Sequence, residues 1–153
     1  NDFEPKSLHE ILADTCDLMA HSMKVTNINF LTDFSAVNDK IFCSPNQVKQ
    51  VCVAILVNAQ EAVSENGEIL LRTTNPDKDH VRIDFIDNGS GISEADLPHI
   101  FEPFFSTKDK TKGIGLGLAI VHGIVQNHKG RIDVKSAKGK GTTFSISFSV
   151  ITT

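Results

Sequence analysis

The chain has 153 residues, a formal net charge of −4, a hydrophobic fraction of 40% and a charged fraction of 22%. This length favours one domain with a core of its own, the mild acidity argues against a nucleic-acid-binding protein, and no apolar run approaches the roughly 18 residues of a membrane span. Three cysteines without a CxxC pair and six histidines without HxxxH or HExxH spacing predict neither a disulfide framework nor a zinc site.

The first half of the chain is predicted to form two helices and four strands. Ser7 followed three residues later by Glu10 is typical of a capping box, and apolar residues at helical spacing then predict a helix over residues 8–23. Strands are predicted over residues 25–31 and 41–43. A second helix, over residues 45–64, begins at a proline, which is well tolerated in the first helical turn. Residues 68–74 and 80–86 are predicted to pair as strands around a turn at residues 75–77.

The second half alternates glycine-rich loops with short elements. A loop at residues 87–91 precedes a short helix that reaches residue 101, and residues 104–115, which include three lysines, are predicted to form a loop. A helix follows over residues 116–128, with Gly130 at the position just after its end. Strands around Ile132 and Val134 and over residues 144–150 flank a turn at residues 139–141. A sheet with its helices gathered on one face suits this order of elements.

Three segments carry residue types that suit ligand binding. Residues 87–92 (DNGSGI) follow an apolar strand, and their carboxylate can accept from an exocyclic amine, although a simple turn is the alternative. Residues 113–118 (GIGLGL) open a helix, whose free N–H groups and dipole attract phosphate, although a hinge loop is the alternative. They fit neither the GxGxxG nor the P-loop pattern. Asn58 lies on an otherwise apolar helix, and its oxygen suits Mg²⁺ unless the amide is a satisfied structural one.

In this order the segments resemble the catalytic, ATP-binding domain of bacterial two-component sensor histidine kinases, over residues 3–151. The N box of the family is similar to residues 50–62, its G1 box to 87–92, its F box to 101–108, its G2 box to 113–118 and its last glycine box to 139–144. The resemblance implies an α/β two-layer sandwich, with a mixed, mostly antiparallel sheet and helices on one face, known as the Bergerat ATP-binding fold. Residues 1–153 would then be a single domain, a fragment without the dimerisation and phosphoacceptor domain.

The resemblance also implies roles for individual residues. Asp87 would bind the adenine amine, directly and through a water held by Thr143. Asn58 would coordinate Mg²⁺ between the phosphates and would serve catalysis together with Lys108. The base pocket would be lined or closely approached by Ala62, Gly91, Ile92 and Leu118. Residues 104–114 would form a lid, mobile without nucleotide, and the phosphates would be held by residues of this lid and of the following helix start: Lys108, Lys112, Gly113, Ile114, Gly115, Leu116 and Gly117.

The function that the resemblance implies is transfer of the ATP γ-phosphate to a histidine on the dimerisation domain of the same kinase, with a response regulator downstream. ATP and Mg²⁺ would be the cofactors, no contact with nucleic acid or membrane is expected, and the location would be cytoplasmic whether or not the parent protein is membrane-anchored. Related ATPases such as type II topoisomerases place a glutamate one turn before the Mg²⁺-binding asparagine. This chain has Ala54 there, which cannot activate water. The alternatives are an ATPase of the same fold and a degenerate nucleotide-binding interaction module without transfer activity.

Overall fold

The computed structural model describes residues 2–64, 66–105 and 117–152. Within these ranges the chain forms seven strands, three α-helices and a short 3₁₀ helix at Leu97–His99. The elements, in chain order, are β1 (Glu4–Ser7), α1 (Leu8–Val25), β2 (Asn29–Phe34), β3 (Lys40–Cys43), α2 (Pro45–Ala62), β4 (Glu68–Asp77), β5 (His80–Asp87), α3 (Gly117–Asn127), β6 (Arg131–Ser136) and β7 (Thr142–Ser149).

A five-stranded sheet in the order β2-β4-β5-β7-β6 is the centre of the fold. The β2–β4 pair is parallel and the other three pairs are antiparallel. The three helices cover one face of this sheet, and β1 and β3 form a separate two-stranded sheet. The predicted two-layer α/β sandwich, mostly antiparallel and with helices on one face, is therefore confirmed.

The core lies between the helices and the covered face of the sheet. Alternate residues of β5 and β7 point into it, because successive side chains of a strand face opposite sides. Phe85, Ile83, Phe144 and Ile146 are each at most 2% exposed. Cys52 of α2 is also fully buried, as predicted for a packing residue, and burial raises the pKa of its thiol to about 12.

The opposite face of the sheet is polar and carries a buried carboxylate. Asp84 is 3% exposed, and its Oδ2 lies 3.2 Å from Nη2 of Arg72 while its Oδ1 lies 3.4 Å from Nε of Arg82. The hydroxyl of Ser145 donates to Oδ1 at 2.6 Å. The charge of Asp84 is thus compensated within the sheet, as a buried charge requires.

The helix starts follow the sequence signals closely. The side chain of Ser7 accepts from the backbone N–H of Glu10 at 3.3 Å, which confirms the first cap. α2 starts at Pro45, and α1 and α2 pack side by side. No helix in the described ranges is both long and apolar enough to cross a membrane.

Several predicted boundaries are wrong, each for a local reason. α1 continues to Val25, and Asn27 then adopts a φ of 59°, so the next strand begins at Asn29 rather than at residue 25. The turn between β4 and β5 is at residues 78–79, because Asn75 and Pro76 stay in the strand at a register shift. β1 was not predicted, since Pro5 disfavours a strand except at an edge. Its pairing with β3 makes it such an edge strand.

The end of α3 differs from the prediction in one residue. Lys129, with a φ of 56°, occupies the left-handed position expected for Gly130. The N–H groups of Lys129 and Gly130 donate to the carbonyls of Gln126 and Val125, both at 2.9 Å, which is the double hydrogen bond of a Schellman motif. Gly130 is required for space instead, because a Cβ there would lie 2.8 Å from the carbonyl oxygen of Ser147.

Candidate functional site

Asp87 is a buried carboxylate at the end of β5. The alternation of the strand places it on the helix-covered face with Phe85, and it is only 6% exposed. Its Oδ1 accepts from the backbone N–H of Gly89 at 2.8 Å and of Thr142 at 3.3 Å. Burial raises the pKa of Asp87, and the two amide hydrogen bonds oppose this rise. The side chain is therefore a fixed acceptor in a sheltered position.

Two glycines let the loop after β5 and the turn before β7 meet backbone to backbone. Gly91 has a φ of +74°, and a Cβ there would lie 2.0 Å from the carbonyl oxygen of Ala137. Gly141 has a φ of +81°, and a Cβ there would lie 2.1 Å from the carbonyl oxygen of Asp87. A side chain at either position would drive the two segments apart, so these glycines keep Asp87 in place.

The end of α2 forms one wall beside this loop. The N–H of Ser90 donates to the carbonyl of Ala62 at 3.0 Å. Ala54, Asn58 and Ala62 are four residues apart and each is half-buried, so they follow one side of α2 towards the loop. The predicted N-box residues Asn58 and Ala62 thus lie on the helix whose end contacts the Asp87 loop.

Three further predicted residues lie among the described elements around the core. Ile92 and Leu118 are partly buried and pack against the core, and Gly117 begins α3 with nothing within 4 Å of where its Cβ would be. α3 packs beside α2. In the F box, the ring of Phe101 contacts that of His122 at 5.2 Å and that of Phe144 at 6.5 Å between centroids.

The strand register corrects the prediction for Thr143. Thr143 pairs with Ile86, whereas Thr142 pairs with Asp87. Because paired residues of antiparallel strands project from the same face, Thr143 points to the uncovered side of the sheet. Thr142, which is 5% exposed, shares the covered side with Asp87. Thr142 therefore takes the position that the sequence analysis gave to Thr143.

Ser136 is a second residue that the sequence analysis missed. It pairs with Thr142 in the β6–β7 register, so Asp87, Thr142 and Ser136 form one row across three strands. Its Oγ lies 2.8 Å from Oγ1 of Thr142, accepts from the N–H of Ile92 at 2.8 Å and donates to the carbonyl of Gly141 at 2.9 Å. The signal that could have found it is its place at the end of a predicted strand just before the 139–141 turn.

The predicted phosphate-binding residues Lys108, Lys112, Gly113, Ile114, Gly115 and Leu116 lie outside the described residues, as does most of the predicted lid. Their roles stay predictions. Among the residues that the structure does describe, no group of three histidine, cysteine or acidic side chains could hold a metal ion. A cation here would need oxygen ligands from a bound molecule as well as from the protein.

His9 is part of the fold rather than of this site. Its Nε2 lies 2.8 Å from Oγ1 of Thr73, its Nδ1 lies 3.3 Å from Asp39, and its ring stacks on Phe34. Ser7 and the His9 backbone N–H also bond to Asp39, and these contacts lower the pKa of that carboxyl although partial burial opposes them. The cluster anchors the start of α1 to the sheet.

Comparison with known proteins assigns the fold to a family. Residues 43–151 match the family model described as histidine kinase-, DNA gyrase B-, and HSP90-like ATPase. The chain belongs to this family. Proteins that resemble the chain include sensor histidine kinases, so the chain is a histidine kinase ATPase catalytic domain, and this family supports the use of ATP.

Individual relatives agree with this assignment. Sporulation kinase E of Bacillus subtilis is 38% identical over 148 residues, which cover 97% of this chain and 20% of that protein. The catalytic domain of histidine kinase ThkA is 29% identical with a TM-score of 0.86, and the match covers 98% of this chain and 97% of that one. ThkA has also been solved in complex with the response regulator TrrA, a structure 26% identical over 97% of this chain and 42% of that one, with a TM-score of 0.82.

The ATPase domain is a small part of these relatives. The chain spans 16% to 31% of the length of the curated sensor kinases that it resembles.

Proposed function

We propose that this domain binds Mg-ATP and transfers the γ-phosphate to a histidine on the dimerisation domain of the same kinase, from which a response regulator takes it. Residues 1–153 would act as one catalytic domain. The single observation that carries it is the buried, amide-held carboxylate of Asp87 beside the end of α2, in a chain of the histidine kinase ATPase family.

The adenine end of the proposed site is built around Asp87. Its Oδ1 is occupied by two backbone N–H groups, so Oδ2 is the atom left to accept from an exocyclic amine. Ala62 and Ile92, on either side of the loop, offer apolar surface for the faces of the base. An ionised carboxylate can accept hydrogen bonds but cannot donate them, so Asp87 favours a purine with an amino group over one with a carbonyl group.

The phosphate end depends on Asn58 and on predicted residues. The amide oxygen of Asn58 is a hard donor of the kind that Mg²⁺ takes, and Mg²⁺ commonly completes its shell with substrate phosphates and water. Bound there, it would neutralise charge on the phosphates. Lys108, Lys112 and the amides of residues 115–117 are proposed to hold the same phosphates at the start of α3.

The proposed reaction is direct phosphoryl transfer. A histidine nitrogen of the dimerisation domain attacks the γ-phosphorus, the bond from that phosphorus to its bridging oxygen breaks, and ADP leaves with the electron pair. Ala54 supports transfer rather than hydrolysis, because its methyl group, one turn before Asn58, cannot activate water. The complex of ThkA with TrrA supports a response regulator as the next partner.

Calorimetric titration with Mg-ATP tests the binding step, and Asp87→Asn is the decisive variant. We expect binding by the wild type and at least about a hundredfold weaker binding by Asp87→Asn, because the amide presents an N–H group to an amine. Asp77→Asn is the matched control, since Asp77 is an exposed carboxylate beyond the other end of β5. Absence of binding by the wild type, or equal loss in both variants, would refute the adenine site.

The transfer step needs a dimerisation domain supplied in trans. Asn58→Ala should keep the base contacts and still bind ADP without Mg²⁺. Phosphohistidine formation from Mg-ATP should fall by about a hundredfold or more, because the variant lacks a ligand of the metal ion. Normal ATP binding by the wild type without transfer to a kinase dimerisation domain would favour an interaction module instead. Steady phosphate release by the isolated domain would favour an ATPase.

A further inference from the structure

Ser136 is a hydroxyl whose hydrogen-bonding capacity is fully used. A serine hydroxyl has one proton and two acceptor positions, and three groups lie within 2.9 Å of this one. The N–H of Ile92 can only donate to it, and the carbonyl of Gly141 can only accept from it. Ser136 therefore donates its proton to the carbonyl of Gly141. In the third hydrogen bond, Thr142 must then be the donor and Ser136 the acceptor.

This assignment fixes the state of the neighbouring threonine. Thr142 donates its hydroxyl proton to Ser136, so Oγ1 of Thr142 can only accept further hydrogen bonds. Thr142 shares its face of the sheet with Asp87, whose Oδ1 is occupied by two amides. This end of the proposed base pocket thus presents two acceptors, the Asp87 carboxylate and the Thr142 hydroxyl, and neither has a free proton to donate.

We infer that Ser136 is a positioning residue that sets the base specificity of the nucleotide site by holding Thr142 as an acceptor. The inference rests on the proposed function. An exocyclic amine supplies two N–H donors and matches a pair of acceptors, whereas a carbonyl at the same place of the base meets two acceptors and is rejected. Sites built to hydrogen-bond one group reject an analogue that leaves them unpaired.

Ser136 has a second effect through the loop. Its bond to the N–H of Ile92 ties the segment after Gly91 to the end of β6. Loss of the hydroxyl loosens Ile92, which borders the proposed base pocket. This change lowers the affinity for all nucleotides by the same factor. The specificity effect acts through Thr142 and changes the ratio of the affinities for two different bases. The two effects are therefore separable by experiment.

The test compares ADP with IDP, which carries a carbonyl where ADP carries the amine. Calorimetry gives both dissociation constants for the wild type, Ser136→Ala and Ser136→Thr. We expect the wild type to prefer ADP and Ser136→Ala to lower this preference by about fivefold to tenfold, the value of one neutral hydrogen bond, because the freed Thr142 proton can turn to the carbonyl. Ser136→Thr keeps a hydroxyl and should restore the preference.

Two controls separate this role from a purely structural one. Ser145→Ala also removes a bonded hydroxyl from the sheet, but on the opposite face beside Asp84, so the ADP-to-IDP ratio should stay at the wild-type value. In a Thr142→Val background, Ser136→Ala should not change the ratio further, because the group through which it acts is gone. Should the alanine variant be unstable, Ser136→Cys keeps the volume with a weaker hydrogen-bonding group and gives the same readout.

The outcomes are distinct. A lower ADP preference in Ser136→Ala and Ser136→Cys, rescued by threonine, supports the inference. A ratio that stays at the wild-type value in both variants overturns it, while ADP binding by the wild type leaves the proposed function standing. Failure of the wild type to bind either nucleotide overturns both.

Discussion

The carboxylate of Asp87 is the central acceptor of the proposed nucleotide site, and its ionisation lowers the stability of the fold. It is buried and accepts two amide hydrogen bonds, no cationic side chain in the described part of the chain is paired with it, and burial raises its pKa. Because of the raised pKa, the folded protein holds a proton over a pH range in which the unfolded chain has released it. Ionisation of Asp87 therefore lowers the free energy of unfolding as pH rises through that range.

Asp87→Asn should consequently raise the free energy of unfolding at pH 7, although it should weaken nucleotide binding. The amide oxygen can still accept from Gly89 and Thr142, and no buried charge remains. The gain should shrink as pH falls through the raised pKa of Asp87, where the wild-type side chain becomes neutral. Urea unfolding of both proteins between pH 4 and 8 measures it. A variant less stable than the wild type at every pH would contradict the account.

At the scale of elements, periodicity predicted where helices and strands lie but not where they end. The stripe of apolar residues in α1 and α2 and the alternation in β7 are strong signals over many residues. Element ends depend on single backbone conformations, such as the positive φ of Asn27 and Lys129, which residues other than glycine adopt only under local constraint. The Schellman bonds after α3 supply that constraint at Lys129.

The end of α3 therefore offers a stabilising substitution. Lys129→Gly should raise the free energy of unfolding by about 1 kcal/mol, because glycine adopts the left-handed conformation without strain. Equilibrium urea denaturation measures this, and nucleotide affinity should not change.

Gly130→Ala, one residue further, is the contrasting variant. Its Cβ would collide with the Ser147 carbonyl, so it should be destabilising. Equal effects of the two substitutions would argue against this assignment of the helix end.

At the scale of the whole molecule, His128 joins four parts of the chain. Its Nε2 accepts from the N–H of Ser44 at the start of α2 at 3.1 Å, and its Nδ1 donates to the carbonyl of Ile124 at 2.9 Å. Its ring stacks on Phe3 with a centroid distance of 4.5 Å and meets the edge of Phe148 of β7. Both nitrogens are thus used by the neutral ring in one tautomer.

Replacement of His128 should weaken the molecule as a whole. His128→Ala removes two hydrogen bonds and the contacts with both phenylalanine rings, so we expect a loss of about 2–3 kcal/mol in the free energy of unfolding. Chemical denaturation followed by circular dichroism measures it. His21→Ala, on the exposed side of α1, is the control and should stay close to the wild type. A loss no larger than that of the control would show that the ring does not join these elements.

Part of the candidate site was predictable because its residues belong to short motifs. The prediction was incomplete because the site assembles across the sheet. Asp87 and the glycines around it were singled out from local sequence, and the structure places them together at the end of β5. The choice between Thr142 and Thr143 depends on strand parity, since a shift of one residue moves a side chain to the other face. Ser136 is 49 residues from Asp87 in sequence and enters the site only through the β6–β7 and β5–β7 pairings.

β3 contacts both β1 and the segment that follows β7. Lys40 pairs with Ser7 of β1, and its carbonyl accepts from the N–H of Ile151 at 2.8 Å. The two terminal segments of the described chain therefore lie against the same strand. The exposed turn at residues 78–79 is an alternative place for the two chain ends. We therefore expect the fold to tolerate circular permutation with new ends at this turn.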